Sequence, residues 1–63
     1  MNDTYIGFFD GEKIAEDENW IKLGGKIYDW QTAHNKVEWR VEWHGHELHY
    51  FSKEYLIANN KPL

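Results

Sequence analysis

Three of the four histidines, His44, His46 and His49, crowd into one short run of the chain. Two imidazoles on one face of an extended strand can chelate a metal, and His44 and His46 have that spacing. His34 joins them if its loop folds toward the turn. Against this, Gly45 lies between the pair, and a reversal there breaks the shared face. His49 falls on the opposite side from Trp39 and Trp43. A metal site of His44, His46 and His49 therefore stands beside a simpler reading, three surface histidines on a hairpin. The run His46-Glu47-Leu48-His49 is not the zinc-protease motif, which needs its histidines four apart on a helix. Nucleophilic chemistry has little to use. There is no cysteine, one serine and no glycine-rich phosphate loop. Carboxylate pairs such as Glu38 and Glu42 carry no specific signal in an acidic chain. The expectation is a non-enzymatic protein without a cofactor.

The stretch Val37 to Phe51 must position these histidines. Val37, Trp39, Val41 and Trp43 alternate with Glu38, Arg40 and Glu42, the pattern of a strand with one buried and one wet face. Gly45 supplies a tight reversal, and His46 to Phe51 returns. A loop of two puts Val41 opposite Leu48 and Trp39 opposite Tyr50. A loop of four puts Trp43 opposite Leu48 and Val41 opposite Tyr50. Both registers keep Leu48 and Tyr50 on the indole face, because a shift of two preserves the side.

The flanking segments extend this sheet. Thr4 to Phe9 is rich in β-formers, and Asp10-Gly11 signals a reversal with Glu12 to Glu16 running back. Glu16-Asp17-Glu18-Asn19 is an acidic bend. Trp20 to Leu23 and Lys26 to Trp30 flank Gly24-Gly25, which reads as one strand bent at the glycines. With Ala33 to Lys36 as a loop, Trp30 faces Trp39, Asp29 faces Arg40 and Tyr28 faces Val41. The outcome is a meander over residues 26–32, 37–43 and 46–52. Its inner face holds Tyr28, Trp30, Trp39, Val41, Trp43, Leu48 and Tyr50. Ser52 caps a short turn at Lys53-Glu54-Tyr55, and Leu56-Ile57-Ala58 is a last strand or part of a short helix over 53–59.

Sixty-three residues allow one domain, residues 1–63. With no disulfide to help, four Trp, four Tyr and three Phe must supply the core. The net charge is −4. Its acidic excess lies in residues 1–19, where six carboxylates face Lys13 alone. Such a chain repels phosphate backbones, so nucleic acid is a disfavoured partner. No run is long enough for a membrane span. The N-terminus lacks the basic start and apolar run of a signal peptide, which with the absent cysteine makes cytoplasmic the expected location.

The run Val41-Glu42-Trp43-His44-Gly45, then Tyr50-Phe51, then Tyr55-Leu56, resembles the last half of Src-homology-3-like small barrels of the Tudor and chromo type. The resemblance implies a hairpin, a one-turn helix and a short closing strand, together with a peptide or protein partner. The expected fold is thus all-β, with a minor C-terminal helix left open. It is a small antiparallel curved sheet or a barrel of about five strands. The expected function is a protein-binding module, an accessory of phage or bacterial size that modulates a larger protein. Its contacts are the aromatics that a core would not absorb, Phe9, Trp20, Phe51 and Tyr55. Glu16, Asp17 and Glu18 steer a basic partner. The alternatives are metal binding through the histidines, stacking of single-stranded nucleic acid or sugar on aromatics, and an acidic decoy over residues 10–18.

Overall fold

The computed structural model describes residues 3–63. Six elements succeed one another: β1 (Tyr5–Phe9), β2 (Glu12–Asp17), α1 (Trp20–His34), β3 (Arg40–His44), β4 (Glu47–Phe51) and α2 (Lys53–Ala58). The four strands form one mixed sheet in the order β2-β1-β4-β3. β1 and β4 run parallel at its centre, and each is paired outward with its antiparallel hairpin neighbour. The fold is α+β. The expected all-β class is overturned by α1, and the expected barrel by a sheet that stays open with β2 and β3 at its edges.

Trp20 to Trp30, expected from sequence as a strand bent at Gly24-Gly25, and the start of the expected loop after it both belong to α1, Trp20–His34. It is a continuous helix of 15 residues. Leu23, Ile27 and Trp30 sit at i, i+4 and i+7, one helical face, and Leu23 and Ile27 are fully buried. Asn19 is its N-cap, accepting at its side-chain oxygen from the N–H groups of Ile21 and Lys22 (2.8 and 3.2 Å). Asn35 closes it in the left-handed conformation, φ 56°. Two strong caps and one buried stripe outweigh the cost of two glycines, roughly 1 kcal/mol each. The supposed pairing of Tyr28 with Val41 and Trp30 with Trp39 therefore does not exist.

Both hairpins form where the sequence places reversals. Asp10 and Gly11 take positive φ (52° and 83°) between β1 and β2. Gly45 takes φ 65° between β3 and β4. Trp43 lies opposite Leu48 and Val41 opposite Tyr50, one of the two registers anticipated, with pairing continued to His44 opposite Glu47. In the β1–β2 ladder the register slips after Gly7, so that Gly7 faces Ala15 and Phe8 faces Lys13. This bulge lets both Ile14 and Ala15 pack on the core of Leu23, Ile27 and Leu48.

Gly7 sits directly beneath α1. A Cβ there would stand 2.7 Å from Ile27 Cδ1, so the helix rests on bare backbone. α1 packs on β2 and β1. The last segment resolves as a helix, α2, capped by Ser52, whose hydroxyl accepts from the N–H of Tyr55 (3.1 Å). No closing strand comes after it. Asp10 ties this end to the first hairpin. Its carboxylate accepts from the N–H and from the hydroxyl of Ser52 (2.7 and 2.8 Å). No helix among the described residues is long and apolar enough to cross a membrane.

Candidate functional site

Because α1 lies over β2 and β1, the same face of β3 has no helix above it. Val41 and Trp43 point to that face and remain open, Trp43 at 47% exposure. Trp20 at the start of α1 meets Trp43 edge to face, ring centroids 6.3 Å apart. A shallow groove also opens between helix and sheet, lined by Gly24, Tyr28, Gln31, Val37, Glu38 and Tyr50. Tyr28 is 68% exposed and Val37 is exposed beside it, while Trp39 lines an adjoining hollow with Tyr55, its ring under the Lys53 ammonium. Gln31, nearly buried, donates through its Nε2 to a Glu38 carboxylate oxygen and holds the loop against the helix. Burial, then the nearby Glu38 charge, raises the Tyr50 hydroxyl above its ordinary pKa.

Sequence reasoning assigned Tyr28, Trp39, Val41 and Trp43 to the core. Tyr28, Val41 and Trp43 are exposed on this surface instead, and Trp39 is half exposed beneath Lys53. The signal that finds them is the helical spacing Leu23-Ile27-Trp30. Once those residues face the sheet, Trp20, Gly24 and Tyr28 must lie on the flank. Gly24 adds a further mark. A Cβ there meets nothing within 4 Å, so neither packing nor backbone conformation requires glycine. Alanine at position 24 should stabilise the helix by about 0.4–1 kcal/mol. Urea denaturation of Gly24→Ala reads this as a raised midpoint at unchanged slope. A lowered midpoint would mean that the groove floor is structurally constrained.

The opposite face of the sheet carries an aromatic row that ends on a ring of α2. Phe8 and His49 stack at 4.4 Å and 3°. His49 and Phe51 lie next at 6.1 Å, then Phe51 and Tyr55 at 5.6 Å. Phe51 and Tyr55, expected as partner contacts, are thus half-buried members of this row.

The histidines divide. His44 lies edge-on to His49 at 5.2 Å on this face. Their Nε2 atoms pair with Glu42 (2.9 Å) and Glu47 (3.0 Å). His46 sits in the turn, its ring against Tyr5 at 4.8 Å and its Nε2 3.8 Å from Asp3. Among the described residues no group of three His, Asp or Glu side chains is gathered as a metal would need.

The remaining anticipated contacts are scattered. Phe9 is 2% exposed and packs on Trp30 at 5.1 Å, so it is a core residue and cannot meet a partner. Trp20 is exposed as expected. The expected acidic bend forms only in its second half, at Glu18 and Asn19. Glu16 and Asp17 belong to β2, with Glu18 next in the chain. Lys13 meets Glu16 at 2.6 Å and Lys26 meets Asp17 at 3.1 Å. The Lys13 hydrogen bond, then its charge, holds Glu16 below its ordinary pKa. The Asn19 N–H, then Lys26, does the same for Asp17. The His44 hydrogen bond, more than Arg40 or Lys61, lowers Glu42.

A lowered carboxyl pKa in the folded state stabilises above the unfolded value. That gain disappears as pH falls through the folded value. Thermal midpoints should therefore drop on acidification below the ordinary carboxylate values of 3.8 to 4.5. The drop should shrink in Lys26→Met, which removes the cation from Asp17. An unchanged acid profile in that variant would show the pair to be energetically silent.

Comparison with protein-family models, with curated proteins and with solved structures finds no match to this chain.

Proposed function

We propose that the chain is a non-enzymatic protein-binding module of the cytoplasm, an accessory that modulates a larger protein. It docks through the apolar surface between α1 and β3. The observation that carries this reading is the set of exposed large side chains there: Trp20, Tyr28, Val37, Val41 and Trp43. A chain with so few residues to build a core leaves three of its four Trp half open, two of them, Trp20 and Trp43, in contact here. Contiguous patches of that kind mark interaction surfaces, and Trp and Tyr are the residues that anchor them. The net charge of −4 favours a partner with basic groups around its own apolar anchor.

Photo-crosslinking in the producing cell tests this. A benzoyl-phenylalanine in place of Tyr28 should give discrete protein adducts, and the same group in place of Lys13 on β2 should not. The adducts should vanish when Trp43 is also changed to serine. No adduct at position 28, or the same adducts at both positions, would refute the reading.

A further inference from the structure

We infer that β3 pairs with β3 of a second copy, antiparallel about a twofold axis at Val41, joining two sheets into one of eight strands. The first support is the edge itself. β3 ends the sheet and keeps an unbroken register with β4 from Arg40 to His44. A straight, regular edge strand is a template for another strand. The other edge, β2, is unsuited. It carries the bulge and the charges of Glu12, Lys13, Glu16 and Asp17.

The second support is what the pairing brings together. With Val41 on the axis, Arg40 lies opposite Glu42 of the second copy, twice by symmetry. On the helix-side face, Val41 meets Val41 and Trp43 comes opposite Trp39. Opposite charges pair on one face and apolar groups on the other, the two kinds of cross-strand contact that stabilise sheets. Moving the axis one residue, to Glu42 or to Arg40, sets like charges against each other. The register is therefore specific.

The third support is the placement of net charge. The acidic excess lies in residues 1–19, three of its carboxylates in β2 and the others in the segments around β1 and β2, while residues 20–63 are near balance. The β3 edge is thus the side on which two copies of a −4 chain repel least. The C-terminal segment touches this region through the Trp39 indole, which donates to the Leu63 carbonyl (3.3 Å), and through the charge of Lys61 on Glu42. Edge pairing leaves the outward faces of Val41 and Trp43 open. The two copies then present one apolar trough between their α1 helices. The pairing does not depend on what that trough binds.

Sedimentation equilibrium from about 1 µM to 1 mM decides it, a range spanning weak and firm association. The apparent mass should rise from one chain to two. Arg40→Glu alone and Glu42→Arg alone should each weaken association by about tenfold, because two attractive pairs become repulsive. Mixing the two variants should restore dimers, since each then supplies the charge that the other lacks. The double variant Arg40→Glu/Glu42→Arg retains every opposite pairing. It should dimerise like the native chain, which keeps the test intact if a single variant fails to fold. A single-chain mass at 1 mM, or single variants that associate normally, would overturn the inference. A monomer that still crosslinks through position 28 would leave the docking surface standing.

Discussion

Ile27→Ala should cost about 2–5 kcal/mol and bring the chain to the edge of unfolding. Ile27 is 0% exposed and belongs to a buried cluster of only three residues, with Leu23 and Leu48. At about 0.05–0.15 kcal/mol per residue, a chain of this length has roughly 3–9 kcal/mol in all. One core truncation can therefore consume most of it. The neighbouring Gly7 lets this contact be probed from the other side. Gly7→Ala puts a methyl 2.7 Å from Ile27 Cδ1 and 2.9 Å from its Cγ1. Both contacts are too short, and turning the terminal methyl away relieves only one. The expected loss is about 1–3 kcal/mol. Ile27→Val removes the Cδ1 atom, so the double variant Gly7→Ala/Ile27→Val should lose less than the two single losses added. Urea denaturation of the four species measures the coupling. Simple additivity would show that the helix does not rest on Gly7.

The second large effect is expected at Asp10. Asp10→Ala should destabilise by about 3 kcal/mol, combining two losses. Ser52, 5% exposed, loses the acceptor for both its N–H and its hydroxyl. Alanine must also adopt φ 52°, a conformation that aspartate and asparagine tolerate better. Asp10→Asn separates the two losses. It tolerates the turn and keeps an acceptor for the Ser52 N–H, so its loss should be nearer 1 kcal/mol, read off as ~1 kcal/mol in urea. Asp10→Gly should fall between them, because glycine accepts the backbone but not the bonds. The consequence is long-range, since residues 10 and 52 lock α2 to the first hairpin. Hydrogen exchange at Tyr55 and Leu56 should quicken in Asp10→Ala before exchange in β1 does. Uniform quickening would show that α2 and the sheet open as one unit.

The turn at Asp10 belongs to the part of the fold that is legible in the residues. Asp10-Gly11 and Gly45 announce their turns through local backbone chemistry, and the chain reverses at both. The alternation over Val37 to Trp43 gives a strand there, because period two is a local property, but the strand is Arg40–His44 and its indole face is not buried. The Ser52 cap is local as well. Trp20 to His34 misleads because its short apolar runs and two glycines fit a bent strand as well as a helix. Leu23-Ile27-Trp30, with Asn19 before it and Asn35 after it, is the deciding pattern.

Other features lie beyond any local pattern. That Phe9 is core while Trp43 is open depends on where α1 lies across the sheet, over β1 and β2 and not over β3. The parallel pairing of β1 with β4 joins segments far apart in the chain, and only the folded molecule brings them together. The residues alone determined which segments turn and which strand has two unlike faces; the expected aromatic core is instead mostly aliphatic, Leu23, Ile27, Leu48 and Leu56 with Phe9. The tertiary structure decided that β3 stays uncovered, because α1 packs over β1 and β2 and meets Leu48 of β4 but does not cover this edge strand.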